Sequence, residues 1–219
     1  MNKSEMFFER ICTQNGIKYK RISTGENKTP DFVIWLGSTQ VIVEVKQIDP
    51  NSKDLQTLRK PPEDWDESDL YDEIPGERVR LKIKRAVPQL RQRTKKQHPA
   101  IIVLYDNVHL WPELLDSYAI RVAMYGIETI LITSNVAPEG GAEVISRWHG
   151  ARRKVSPKHN TTLSAVAVVS EKDNAICLDV YHNMFARIPL SPDLLRLPSV
   201  KHYALEAEPY GQFPDWIEV

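Results

Sequence analysis

The hydrophobic and polar positions of this chain change from helical to strand periodicity in an order that predicts an α/β fold. Residues 4–15 repeat apolar side chains at helical spacing, and we expect Ser4 to cap this helix and Gly16 to end it. Three short runs rich in β-branched residues follow, and each is typical of a strand: residues 17–22, 32–36 and 40–46. The first part of the chain therefore predicts one helix followed by three strands.

The next segment changes from acidic to basic. Residues 49–76 combine prolines with a run of acids and little periodicity, which predicts a long loop that either covers a functional site or is simply solvated. Residues 77–97 keep apolar positions at helical spacing and predict a basic amphipathic helix. Pro88 lies inside this helix, so we expect a kink there or a helix that restarts.

The remaining apolar runs extend the alternation of strands and helices. Residues 100–105 form a wholly apolar run, which predicts a strand that is buried on both faces. A helix over residues 112–125 and a second buried strand over 127–133 then add a further β-α-β step. Residues 163–169 and 175–181 predict an antiparallel pair.

Composition narrows the class of protein. The 219 residues are 42% hydrophobic and 26% charged, and no apolar run approaches the length of a membrane span, so we expect no membrane partner. The N-terminus shows no secretory signal, which indicates the cytoplasm. The formal net charge is zero, but the acids of residues 63–73 and the basic residues of 78–96 are separated along the chain. Neutrality therefore does not exclude a nucleic-acid partner.

The candidate chemistry lies in the strands that flank the Gly37-Ser38 turn. Glu44 and Lys46 share one face of their strand, because alternate side chains of a strand point the same way. A hairpin at the turn would bring Asp31, at the start of the preceding strand, close to Glu44. Two carboxylates can hold a hard cation such as Mg²⁺, and a nearby lysine can orient water or stabilise charge on a phosphate.

Pro30-Asp31, twelve further residues and then Glu44-Val45-Lys46 resemble the signature of the PD-(D/E)XK nuclease superfamily, which includes restriction endonucleases and Holliday-junction resolvases. The resemblance implies an α/β, restriction-endonuclease-like fold with a mixed central sheet flanked by helices. Residues 4–134 would form the nuclease core, and residues 135–219 a C-terminal β-containing extension packed on the same domain.

The resemblance also implies a cofactor and a set of site residues. Mg²⁺ or Mn²⁺ would be held at Asp31, Glu44 and Val45, with Lys46 as the catalytic partner. In resolvase-like members a glutamate on the first helix assists the metal site. The matching residue here is Glu5.

Two further residues are reserve candidates. Glu9 lies one helical turn after Glu5, and the sequence alone leaves open which of the two assists the metal. Gln89 corresponds to a glutamine that some nuclease families place on the helix after the Glu-x-Lys strand. Their pattern adds a tyrosine four residues later, where this chain has Arg93.

DNA is the expected substrate, and two basic segments are candidates for contacts with its phosphates. The first is one outer face of the basic helix, with Arg80, Lys84, Arg91 and Lys95. The second is a loop expected over residues 147–158, with Arg152, Arg153 and Lys154. Contacts of this kind position the nucleic acid without reading its sequence.

The sequence thus predicts a divalent-metal-dependent nuclease that hydrolyses DNA phosphodiester bonds, in restriction, phage defence, a mobile element or repair. Two alternatives remain open. The chain could be a catalytically inactive nuclease-fold module that binds nucleic acid or a protein, or an unrelated α/β protein that binds a small molecule. A homodimer or a complex with a partner protein is compatible with each of these interpretations.

Overall fold

The structure is a computed structural model that describes residues 2–23, 29–66, 74–95, 97–108, 114–132, 144–172, 175–206 and 214–219. The helices in this part are α1 (Lys3–Gln14), α2 (Ser52–Thr57), α3 (Glu77–Thr94) and α4 (Ser117–Tyr125). The strands are β1 (Lys18–Arg21), β2 (Phe32–Leu36), β3 (Thr39–Ile48), β4 (Ala100–Asp106), β5 (Ile127–Ile132), β6 (Val144–Ala151), β7 (Ala165–Lys172), β8 (Ala175–His182), β9 (Val200–Leu205) and β10 (Trp216–Glu218).

Eight of the described strands form one mixed sheet in the order β1-β2-β3-β4-β7-β8-β9-β10. β3, β4 and β7 run parallel to one another in its centre, and β8 runs parallel to β9. The other neighbouring pairs are antiparallel. Helices flank both faces, with α1 on one and α3 and α4 on the other. The predicted α/β class with a mixed central sheet is confirmed.

Alternation along β3 divides the apolar residues between two layers. Val41, Val43 and Val45 pack with Phe8 and Ile11 of α1. The opposite face of the sheet packs against α3 and α4, through a layer that includes Ile42, Ile48, Val79, Ile83 and Ile120. Glu44 lies between Ile42 and Ile48 on this second face, since successive side chains of a strand alternate.

The first helix begins two residues earlier than expected. Asn2 and not Ser4 is the N-cap, and its side chain accepts a hydrogen bond from the Glu5 amide at 2.9 Å. Ser4 lies in the first turn, where its buried hydroxyl donates to the Asn2 side chain at 2.7 Å. Its amide donates to Gln47 Oε1 at 3.1 Å, and this contact joins the start of α1 to β3.

The segment between β3 and α3 is more ordered than the predicted loop. It contains α2 and a 3₁₀ turn at Pro62–Asp64, while residues 67–73 lie outside the described part. Asp54 of α2 is buried and accepts two hydrogen bonds from the Arg78 guanidinium, at 2.6 and 2.7 Å. This paired contact attaches α2 to the first turn of α3. The helix itself runs through Pro88 without restarting.

The later strands differ from the predicted β-α-β step. β5 does not join the main sheet, but pairs with β6 in a separate antiparallel ribbon. The predicted burial of β5 is therefore wrong, and its last three residues are exposed: Ile130, Leu131 and Ile132. β7 takes the place beside β4 instead.

The predicted antiparallel pairing of β7 with β8 is confirmed. β7 to β10, which come from the segment after residue 134, supply half of the main sheet. None of the described helices is long and apolar enough to cross a membrane.

Candidate functional site

The β2–β3 hairpin places Asp31 beside Glu44. Phe32 pairs with Val43, so the next residues outward, Asp31 and Glu44, face each other across the two strands. The Asp31 side chain accepts a hydrogen bond from the Val45 amide at 2.7 Å. Its main-chain carbonyl accepts from the Ile22 amide at 2.8 Å, which fixes the backbone on the side of β1. The predicted neighbourhood of Asp31 and Glu44 is present.

Glu44 is fully buried, with a relative exposure of 0%. Its carboxylate forms an ion pair with the ammonium group of Lys46, whose side chain is 25% exposed. Within the described part of the chain, neither Glu44 oxygen accepts a hydrogen bond of ordinary geometry. A buried carboxylate in this state is costly, because its lost hydration is only partly replaced.

Burial perturbs both carboxyl groups, and the charge of Asp31 adds to the effect on Glu44. Burial, and next the charge of Asp31, raise the pKa of Glu44 from 4.5 to about 7, although Lys46 opposes the shift. Burial also raises the pKa of Asp31, against the lowering effects of the Val45 amide and Lys46. Both shifts show that the protein disfavours two negative charges at this point.

The donor set fits a divalent cation. Mg²⁺ and Mn²⁺ prefer oxygen ligands, and Mg²⁺ is commonly bound by one or two carboxylates with water in the remaining positions. Asp31 and Glu44 supply two such carboxylates, and among the described residues the Lys46 ammonium is the charge partner of Glu44. No cluster of three or more acidic, histidine or cysteine side chains forms among the residues that the structure describes. Val45 has an apolar side chain without a ligand atom, and it lies in the layer beneath α1.

Glu5 lies close enough to Asp31 for its charge to raise the pKa of Asp31. Its carboxylate, however, accepts a hydrogen bond from Arg21 of β1 at 2.9 Å. Glu9 binds the same guanidinium at 3.1 and 3.3 Å. Of the two helix glutamates, Glu5 is therefore the one whose charge acts on Asp31. Arg21 binds both glutamates. Sequence reasoning missed Arg21, because the basic residues of β1 gave no sign of which one faces α1.

A basic cleft opens beside Lys46. It has a volume of about 740 Å³, and its lining comprises Lys46, Lys82, Lys84, Arg85, Pro88, Gln89 and Gln92. Burial, together with the neighbouring cations Arg85, Lys46 and Arg78, lowers the pKa of Lys82, while Asp49 opposes this. The cleft places the reserve candidate Gln89 in the same cavity as Lys46.

The predicted phosphate-contacting face of α3 is only partly present. The expectation for Arg80 is wrong, because its side chain is 1% exposed and donates to the carbonyl oxygens of Pro75 and Val122. Lys84 lines the cleft. Lys95 lines a second groove, and Arg91 is exposed but lines neither cavity.

Sequence reasoning also missed Lys82 and Arg85. A signal for both was present, since Lys82, Arg85, Gln89 and Gln92 follow one another at helical spacing. The same rule would have corrected Arg80, which precedes the buried Ile83 by three residues and Val87 by seven.

The second predicted basic segment lies apart from the cleft. Residues 147–151 belong to β6 and not to a loop, and the turn that follows carries Arg152, Arg153 and Lys154. Arg152 approaches Glu77 in the first turn of α3 at 3.7 Å. Glu77 precedes Lys84 by about 10 Å along the helix axis. None of these three basic side chains lines the cleft.

Comparison with known proteins yields no assignment: we find no matching family model, no matching curated protein and no matching solved structure. The geometry of the site is therefore the basis for its function.

Proposed function

We propose that this chain is a divalent-metal-dependent nuclease of the PD-(D/E)XK type that hydrolyses DNA phosphodiester bonds in the cytoplasm. The observation that supports it most is the Glu44 carboxylate. It is fully buried, faces Asp31, lacks ordinary hydrogen-bond donors among the described residues and pairs with Lys46 at a basic cleft. A cation bridging the two carboxylates would offset their repulsion.

Each residue of the site has a distinct part in the proposed reaction. Asp31 and Glu44 would hold Mg²⁺ or Mn²⁺, which would supply Lewis acidity toward a phosphoryl oxygen and acidify a water molecule. With a cation beside Glu44, the ion pair would hold the Lys46 ammonium less strongly. Lys46 then orients the attacking water or stabilises charge on the phosphate, because its partly exposed side chain lines the cleft. Glu5 would assist the metal site from α1, where its negative charge acts on Asp31.

The test is cleavage of supercoiled plasmid DNA and of single-stranded DNA with Mg²⁺ or Mn²⁺, with and without chelator. Wild type should cleave only with metal, and Lys46→Ala should lose cleavage by about 100-fold or more while DNA still binds. Lys20→Ala is the matched control, since it removes an exposed lysine of the neighbouring strand β1.

Normal cleavage by Lys46→Ala would contradict the catalytic role of Lys46. Wild type that binds DNA without cleaving it under any of these conditions would favour the non-catalytic module.

A further inference from the structure

One face of α3 carries a single row of polar side chains. Lys82, Arg85, Gln89 and Gln92 follow at intervals of three, four and three residues, and all line the cleft beside Lys46. Side chains at these intervals lie above one another along a helix. The row therefore forms a continuous strip of cationic and amide groups that begins next to the candidate catalytic lysine.

A second groove continues this strip beyond the end of the helix. It has a volume of about 250 Å³ and shares Gln92 with the cleft. Its other lining residues are Val33, Gln40, Ile42, Arg93, Thr94, Lys95, Gln97 and His98. From Lys82 to Lys95 the path follows α3 for about 20 Å.

The charge along the path is positive. Among the described residues, neither Lys84 nor Arg85 forms an ion pair with a carboxylate. The carboxylates beside the cleft are Glu44, paired with Lys46, and Asp49, which acts on Lys82. An anionic polymer is the ligand that such a strip favours.

The arrangement suits one nucleic-acid strand better than two. A duplex presents two backbones separated by grooves about 6 to 12 Å wide, whereas the cations here lie along a single helix beside Lys46. Glutamine amides can donate to and accept from base edges, and Val33, Ile42 and Pro88 add apolar surface for base faces.

We propose that the site acts on single-stranded nucleic acid, which lies along α3 from Lys82 to Lys95 with the scissile phosphate at Lys46. This inference rests on the proposed nuclease function for its catalytic end only. Binding of the strand does not require metal.

The experiment measures fluorescence anisotropy of a labelled oligothymidylate of about 16 nucleotides, and of a duplex of the same length, in chelator. Wild type should bind the single strand at least about tenfold more tightly than the duplex, a difference of about 1.4 kcal/mol. Lys84→Gln/Arg85→Gln should weaken this binding, and the slope of log affinity against log salt should fall by about 1.4, or about 0.7 for each lost contact.

The matched control is Arg10→Gln/Lys20→Gln. It removes the same number of exposed positive charges from α1 and β1, and neither residue lines the cleft or the groove. The control should keep the wild-type slope. Equal or tighter duplex binding, or a control slope that falls as far as that of the cleft variant, would overturn the inference.

The two proposals fail separately. If wild type binds the single strand through Lys84 and Arg85 but never cleaves it with Mg²⁺ or Mn²⁺, the proposed binding path is supported and the proposed nuclease activity is contradicted. Metal-dependent cleavage with no effect of Lys84→Gln/Arg85→Gln on single-strand binding would do the reverse.

Discussion

Two pairs of carboxylates near the start of the sheet differ in how the fold treats their charge. Glu5 and Glu9 of α1 have side chains that are 15% and 23% exposed, and both bind the guanidinium of Arg21. Asp31 and Glu44 face each other on the hairpin, and the fully buried Glu44 has only Lys46 as a charge partner among the described residues. Each pair has one cation beside it, but the first pair keeps contact with water and accepts hydrogen bonds of ordinary length, whereas the second includes the fully buried Glu44.

The difference indicates which of the two carboxylate pairs a cation would stabilise. A partly exposed glutamate bound to arginine gains little from a metal ion, because its charge is already paired and partly hydrated. A buried carboxylate whose pKa is raised toward neutrality gains much, because a metal ion replaces both the lost hydration and the missing donors. Three substitutions test this contrast in stability.

The largest effect is expected for Glu44→Gln in chelator. The pKa of Glu44 is about 7 in the folded protein and 4.5 without burial, so the folded state retains a proton that the unfolded chain releases between these values. Wild type should therefore lose stability as pH rises from about 4.5 to 7, by about 3 kcal/mol from this group. Glu44→Gln should lose much less over the same range.

Denaturant unfolding at a series of pH values measures this difference. Glu9→Gln is the control, since it changes a partly exposed glutamate that binds Arg21, and its stability should follow the wild-type pH curve. If the stability of Glu44→Gln and that of wild type change with pH in parallel, the pKa of Glu44 is not raised by folding and the two carboxylate pairs do not differ in this way.

A smaller effect is expected for Asp31→Asn. The substitution keeps an oxygen that can accept from the Val45 amide but removes the repulsion with Glu44. The variant should melt no lower than wild type in chelator, whereas substitutions close to a core usually destabilise. Wild type alone should gain from Mn²⁺, by about 1.4 kcal/mol at ten times the dissociation constant, which shifts its melting temperature by a few degrees.

Thermal scans with chelator and with Mn²⁺ measure both quantities. A strongly destabilised Asp31→Asn that keeps the wild-type response to Mn²⁺ would make Asp31 a structural residue and place the metal elsewhere.

The smallest effect is expected for Arg21→Ala. Its side chain is 42% exposed, and each of its ion pairs with Glu5 and Glu9 should contribute about 0 to 1 kcal/mol. Arg21→Lys keeps the charge and should retain part of this stability. Urea unfolding at low and high salt measures the stability of both variants. If Arg21→Ala loses as much stability at high salt as a truncation in the core would, the ion pairs of Glu5 and Glu9 with Arg21 are not weak surface interactions.

The local part of the site could be predicted from sequence. The Gly37-Ser38 turn between two β-branched runs indicates a hairpin, and the alternation of side chains then places Asp31 opposite Glu44. These relations depend on residues within one supersecondary unit. The burial of Glu44 also follows from its apolar neighbours.

The parts that depend on distant residues could not be predicted in the same way. The apolar run of β5 reads as a buried strand, but its pairing with β6 in a separate ribbon is decided by tertiary contacts. Arg80 is basic and lies on a basic helix, yet it is buried because the carbonyl oxygens of Pro75 and Val122 accept its hydrogen bonds. The charge of a side chain alone does not show whether the fold buries it.

The parallel centre of the sheet also has a consequence for how the site forms. Asp31 and Glu44 belong to one hairpin, whose closure costs little chain entropy, whereas β3 pairs with β4 only after the chain has crossed α2 and α3. β4 in turn pairs with β7 across a still longer segment. Pairing over such a sequence separation is slow, because the closure of a long loop costs chain entropy before its contacts form. We therefore expect the hairpin that holds the two carboxylates to form before the helix that carries the basic cleft docks beside it.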